Sequence, residues 1–131
     1  MSSFEKVKNF LLDLGHEISS EEPSDQILVV NNESKGICNM VLDCEDDVLI
    51  MEQHMFDLAE SSESIYKRLL QMNRGFVHGA LVLDETGQKV IFRDTLAIEN
   101  LDLNELESSF NALAIALAEH ADEFLKLAGK N

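Results

Sequence analysis

The sequence predicts an α+β domain that runs helix, three-stranded antiparallel meander, helix, β-hairpin and long C-terminal helix. Three observations carry that expectation. Apolar residues recur at helical spacing near the N-terminus, between Ile65 and Met72, and again from Leu103 to Leu127. Between these segments lie short β-branched and apolar runs bounded by turn-forming residues. A chain of 131 residues with 45% hydrophobic content is long enough for one core and short for two, so one domain over residues 1–131 is expected.

Phe4, Val7, Phe10, Leu11 and Leu14 share one helical face. Ser2 with Glu5 can form a capping box and Gly15 offers a stop, which places the first helix over residues 3–14. A polar stretch with the only proline, Pro23, follows. Strands are then expected at residues 27–30, 37–42 and 48–55, with turns at 31–36 and 43–47. The second helix should start at Ser61 or Ser62 and end near residue 73, with Ile65, Tyr66, Leu69, Leu70 and Met72 on a broad apolar side. Strands at 80–83 and 89–92 flank Asp84, Glu85, Thr86 and Gly87, where the glycine can take the positive φ of a short hairpin turn.

The last helix opens with Asp102 as N-cap and Glu105 three residues on. Leu103, Leu106, Phe110, Leu113, Leu117, His120, Phe124 and Leu127 step by three and four, as an a/d seam does. Such a helix is about 39 Å long at about 1.5 Å per residue, whereas five strands make a sheet about 24 Å wide. Two outcomes are open: the helix crosses the sheet along its length and ends in a frayed tail, which is the more ordinary arrangement, or part of it overhangs and offers its seam to a partner.

Charge narrows the function. There are 25 acidic residues against 10 basic ones, a formal charge of -15, which repels phosphate backbones and anionic lipid surfaces. No nucleic-acid partner is expected. From Gly36 to Tyr66 eight acids (Asp43, Glu45, Asp46, Asp47, Glu52, Asp57, Glu60, Glu63) occur without a Lys or Arg. They form either a solvated face or an attraction for a basic partner. No run of about 18 apolar residues could span a bilayer, and MSSFEKVKNF lacks the features of a secretory signal. A cytoplasmic protein without membrane insertion is expected, with Cys38 and Cys44 as reduced thiols.

The residues that carry chemistry do not assemble into a site. Glu52 and His54 would share a strand face, but two ligands lack a third. Cys38 and Cys44 are about 20 Å apart on one extended strand. The acidic turn lacks the ligand spacing and glycine of an EF-hand, and Gly75, Gly79 and Gly87 do not follow a phosphate-loop pattern. His120 falls in the apolar seam beside Glu119, where a core or interface role is the ordinary one. An enzyme using His54 or His120 has only their polar neighbours in its favour. The expectation is no cofactor, no metal and no catalysis.

The element order, the acidic chain, and the sequence LLQMN followed by GALVLDETGQKVIF and a long helix resemble the class I type III secretion chaperones and the related YbjN-like proteins. The HGALVLDETG and FRDTL segments are also similar to a family of small acidic bacterial proteins of unknown function. The resemblance covers nearly the whole chain in element order and residues 68–124 in residue pattern. It implies a homodimer in the bacterial cytoplasm that offers apolar surface to an extended or unfolded segment of another protein. The residues this implies for partner binding are Phe4, Val7 and Phe10 of the first helix and Ile27, Val29, Ile37 and Val41 of the first strands. For the dimer they are Ile65, Tyr66 and Leu69. All of these also fit ordinary core positions, because a small domain needs most of its large apolar side chains inside. The expected function is a non-enzymatic protein-binding module, chaperone-like or adaptor. The alternative is a regulatory or stress-associated protein that docks onto a folded partner.

Overall fold

Each α-helix begins where the sequence supplies an oxygen for its unpaired amides. In the computed structural model, which describes residues 2–130, Ser2 Oγ accepts from the Glu5 amide at 3.1 Å and starts α1 (Ser3–Asp13). Ser62 Oγ accepts from Ile65 N at 3.3 Å and starts α2 (Glu63–Asn73). Asp102 Oδ1 accepts from Glu105 N at 2.7 Å and starts α3 (Leu103–Leu127). All three caps stand in extended backbone, which turns the side-chain oxygen toward the first helical turn.

Six antiparallel strands form one sheet: β1 (Glu17–Glu22), β2 (Ile27–Asn32), β3 (Ile37–Glu45), β4 (Val48–Asp57), β5 (Ala80–Leu83) and β6 (Lys89–Ala97). Their spatial order is β1-β2-β3-β4-β6-β5. The chain leaves β4, passes through α2 to the far edge, and returns by the β5–β6 hairpin so that β6 lies beside β4. That hairpin is held at its turn by Asp84, whose carboxylate accepts from the Thr86 hydroxyl at 2.7 Å and the Lys89 amide at 3.1 Å, while Gly87 takes φ +74°.

The three helices cover one face of the sheet. Phe4, Val7 and Leu11 of α1 and Leu106, Phe110 and Leu113 of α3 join Leu28, Val30, Met40, Leu42, Leu49, Met51 and Phe92 in the main core. Each such side chain removed from water contributes about 1.5–3 kcal/mol. A second cluster lies under α2, built from Leu58, Leu69, Met72, Leu81, Val90 and Phe124. Arg68 of α2 grips Glu123 of α3 through two hydrogen bonds of 2.7 and 2.8 Å, and these bonds hold the Glu123 carboxyl below its usual range.

One expectation needs correction, and one open alternative is decided. The polar segment after α1 is a strand, β1, so the meander before α2 has four strands rather than three. Its residues EISSEE show almost no apolar alternation because it is an edge strand with only Ile18 half-buried. The end of α3 does not overhang. Phe124 is buried in the second cluster, Glu123 holds Arg68, and the Leu127 carbonyl accepts from Ala59 N at 2.9 Å. The extra platform is the second cluster itself, which the width of a five-stranded sheet leaves out.

Candidate protein-binding surface

Strand parity puts a second set of side chains on the face that no helix covers. In β2, Leu28 and Val30 are buried while Ile27 and Val29 are half-buried. In β3, Met40, Leu42 and Cys44 are buried while Val41 is 38% exposed. In β4, Leu49 and Met51 are buried while Val48 is 39% exposed and Ile50 half-buried. The register aligns these outer residues into rows across the sheet. One row runs Glu22, Ile27, Asp43, Ile50, Thr95, and the next runs Ser20, Val29, Val41, Glu52, Arg93, Ala80. The result is a checkerboard of β-branched side chains and charges, open to solvent.

Ion pairs occupy one side of this face. Arg93 Nη1 donates to Glu52 Oε2 at 2.8 Å, and Lys89 Nζ lies 3.4 Å from Asp57 Oδ1. His54 Nε2 is 2.7 Å from that same oxygen, and its hydrogen bond, followed by the Lys89 charge, pulls the Asp57 carboxyl below its usual range. Asp43 is different: its Oδ1 is buried with no hydrogen-bond partner. Two residues along, the Glu45 carboxyl is held above its usual range by its hydrogen bond to Asp43 and by the Asp43 charge. The same carboxylate adds to the effect of burial on the Cys44 thiol, which is pushed up to about 11 and so is protonated and unreactive at neutral pH.

The residues proposed for partner binding divide between the two faces. Phe4, Val7 and Ile37 lie in the main core, none more than 5% exposed. Phe10 is half-buried and packs on that core, with Lys6 Nζ 6.0 Å from its ring centre. Ile27, Val29 and Val41 point to the open face. Ile50 and Val48 share that face and were missed, because β4 is apolar on both faces and alternation alone does not say which parity faces in. Of the dimer candidates, Leu69 is buried in the second cluster, Ile65 packs on it, and Tyr66 donates its hydroxyl hydrogen to the Gly87 carbonyl at 3.2 Å. Beside them Leu70 is 71% exposed over a cavity of about 380 Å³ between α2 and edge strand β5.

His16, His54 and His120 each have a partner within the fold. His16 is buried with its ring 4.3 Å from that of Phe110, and the Asn32 amide nitrogen lies 3.1 Å from its Nδ1, which must therefore be the acceptor. His120 packs on Phe124 at 5.8 Å, with Glu119 3.9 Å away. Cys38 is exposed and Cys44 buried, both as free thiols. Among the described residues no group of three or more His, Cys, Asp or Glu could hold a metal ion, and no helix is long and apolar enough to cross a membrane.

Comparison with solved structures finds the same architecture at low identity. YbjN, a putative transcription regulator from E. coli, superposes with a TM-score of 0.71 at 14% identity, covering 92% of each chain. A chain of the ExsC–ExsE complex gives 0.63 at 18% identity, over 98% of this chain and 97% of that one. The Yersinia pestis type III secretion chaperone SycH, solved with a stable fragment of YscM2, gives 0.57 at 17% identity, over 96% and 99%. At these identities the likeness is one of fold. No curated protein sequence matches the chain. The family model described as CesT_Tir_1 matches residues 1–130. With its helices on one face of an antiparallel sheet and a long closing helix, the chain belongs to the CesT_Tir_1 family, a type III chaperone family.

Proposed function

We propose that the protein is a non-enzymatic, chaperone-type binding module that holds a segment of another protein on the open face of its sheet. The observation that carries this reading is the uncovered outer face, where Ile27, Val29, Val41, Val48 and Ile50 stand in register with nothing of the described chain over them. Apolar side chains gathered on one face of a soluble domain mark an interaction surface. Family membership and fold neighbours solved with protein partners support it. Cytoplasmic location and a homodimer belong to the same reading. The exposed Leu70 and the cavity beneath it, beside an edge strand β5 whose Leu81 amide and carbonyl are taken by the Asn73 side chain, supply an apolar patch for the second copy.

The test is a peptide array probed with the wild-type protein and with a Val41→Ser/Ile50→Ser variant. The wild type should retain apolar, unstructured segments and the variant should lose them. Retention that the two substitutions leave unchanged would move the site away from this face. The fold likeness to YbjN favours a second reading, a regulator that docks onto a folded partner. It predicts no peptide capture at all.

A further inference from the structure

We propose that the open face selects segments that carry Lys or Arg beside their apolar side chains, with Asp43 and Glu45 reading the cation. The inference rests on the protein-binding role proposed above and adds its specificity. Asp43 stands in its cross-strand row between Ile27 and Ile50, with Val41 and Glu45 two residues away on its own strand. A carboxylate oxygen buried there without a donor costs free energy that an incoming ammonium or guanidinium would offset. Among the described residues none supplies that cation: Arg93 and Lys89, the basic residues of β6 on this face, hold Glu52 and Asp57.

The surrounding charge points the same way. A net charge of -15 steers a basic segment toward the molecule and repels an acidic one. The form of the occupant follows from the backbone. A strand laid flat on a sheet face finds no partners there for its amides and carbonyls, whereas a helix pairs its own. The segment that fits is therefore an amphipathic helix whose apolar stripe meets Ile27, Val41, Val48 and Ile50 and whose flanking cation reaches Asp43 and Glu45.

Three synthetic helical peptides separate this inference from the broader reading. They share one apolar stripe and carry Lys, Gln or Glu beside it, and each is titrated by fluorescence anisotropy against the wild type, Asp43→Asn/Glu45→Gln and Val41→Ser/Ile50→Ser. The Lys peptide should bind the wild type about tenfold more tightly than the Gln peptide, and added salt should erode that advantage. The Asp43→Asn/Glu45→Gln variant should bind both alike while keeping its affinity for the Gln peptide. Equal binding of Lys and Gln peptides by the wild type overturns the inference, as does a preference that survives Asp43→Asn/Glu45→Gln. Gln-peptide binding that Val41→Ser/Ile50→Ser abolishes keeps the broader reading alive in either case, whereas failure of every peptide to bind removes both. Thermal melts reveal a variant that has not folded. The Lys-to-Glu exchange on the peptide then reports on the same contact with wild-type protein alone.

Discussion

His16 makes the fold sensitive to mild acid. Burial, then the Lys35 charge, lowers its pKa, and the Glu107 charge opposes them only in part. An unfolded histidine takes up its proton as the pH falls through about 6.5, while the folded His16 still refuses it. The unfolded state then binds more protons, so stability is fully present above about 6.5 and falls below it until the lowered folded value is reached. Denaturant melts between pH 7.5 and 5 should show this loss at no more than about 1.4 kcal/mol per pH unit, and His16→Gln should flatten that part of the curve. Gly79 is the other exacting residue. It sits at φ +72°, and a Cβ there would lie 2.7 Å from the Phe92 ring and 3.0 Å from the Arg93 carbonyl. Gly79→Ala should cost about 2 kcal/mol in a urea melt, without altering peptide capture. Neither role was legible in the sequence. The partners of His16, Asn32 and Phe110, arrive from the end of β2 and the third turn of α3, and local pattern carries no record of a contact at that separation.

Helices were legible as elements because their start signals are local: Ser2 and Asp102 cap at their spacing to Glu5 and Glu105, and of the two serines offered for the second helix Ser62 is the one that caps. Strands were legible only where one face is apolar. β1 escaped because its backbone is satisfied by β2 and its side chains are nearly all in water. The ends of β3 and β6 escaped because Asp43 and Glu45, or Arg93 and Asp94, look like turn residues. They are held in the ladder by pairing with Ile50, Val48, Glu52 and Met51. The open face followed from parity once the register was known, and Val41 was the one exposed member among the residues named beforehand. At this scale α2 and β5 carry a prediction. If their shared apolar surface joins two copies, wild type should scatter light as a dimer, and Leu70→Lys, which puts a charge at a position 71% exposed in the single chain, should give a folded monomer.

Across the whole molecule the dominant field is its own negative charge. Twenty-five carboxylates against ten cations repel one another in the compact state, and added salt screens that repulsion within about 8–10 Å. Raising NaCl from low ionic strength to near-physiological should therefore raise Tm, by about 4 °C for each 1 kcal/mol of relieved repulsion. Salt should at the same time weaken capture of a Lys-bearing peptide. Stability and basic-segment affinity thus move in opposite directions, which a hydrophobic contact alone does not produce. The strand order β1-β2-β3-β4-β6-β5 has a consequence in time as well as in space. Synthesis delivers β4, then α2 and β5, and only afterwards the strand that must enter between β4 and β5. The helix that covers most of the inner face comes last. A nascent chain halted after Ala97 would hold Leu28, Met40, Leu42 and Phe92 with no α3 above them. Until its final helix leaves the ribosome, a protein proposed to shelter the apolar segments of others is itself a chain in need of shelter.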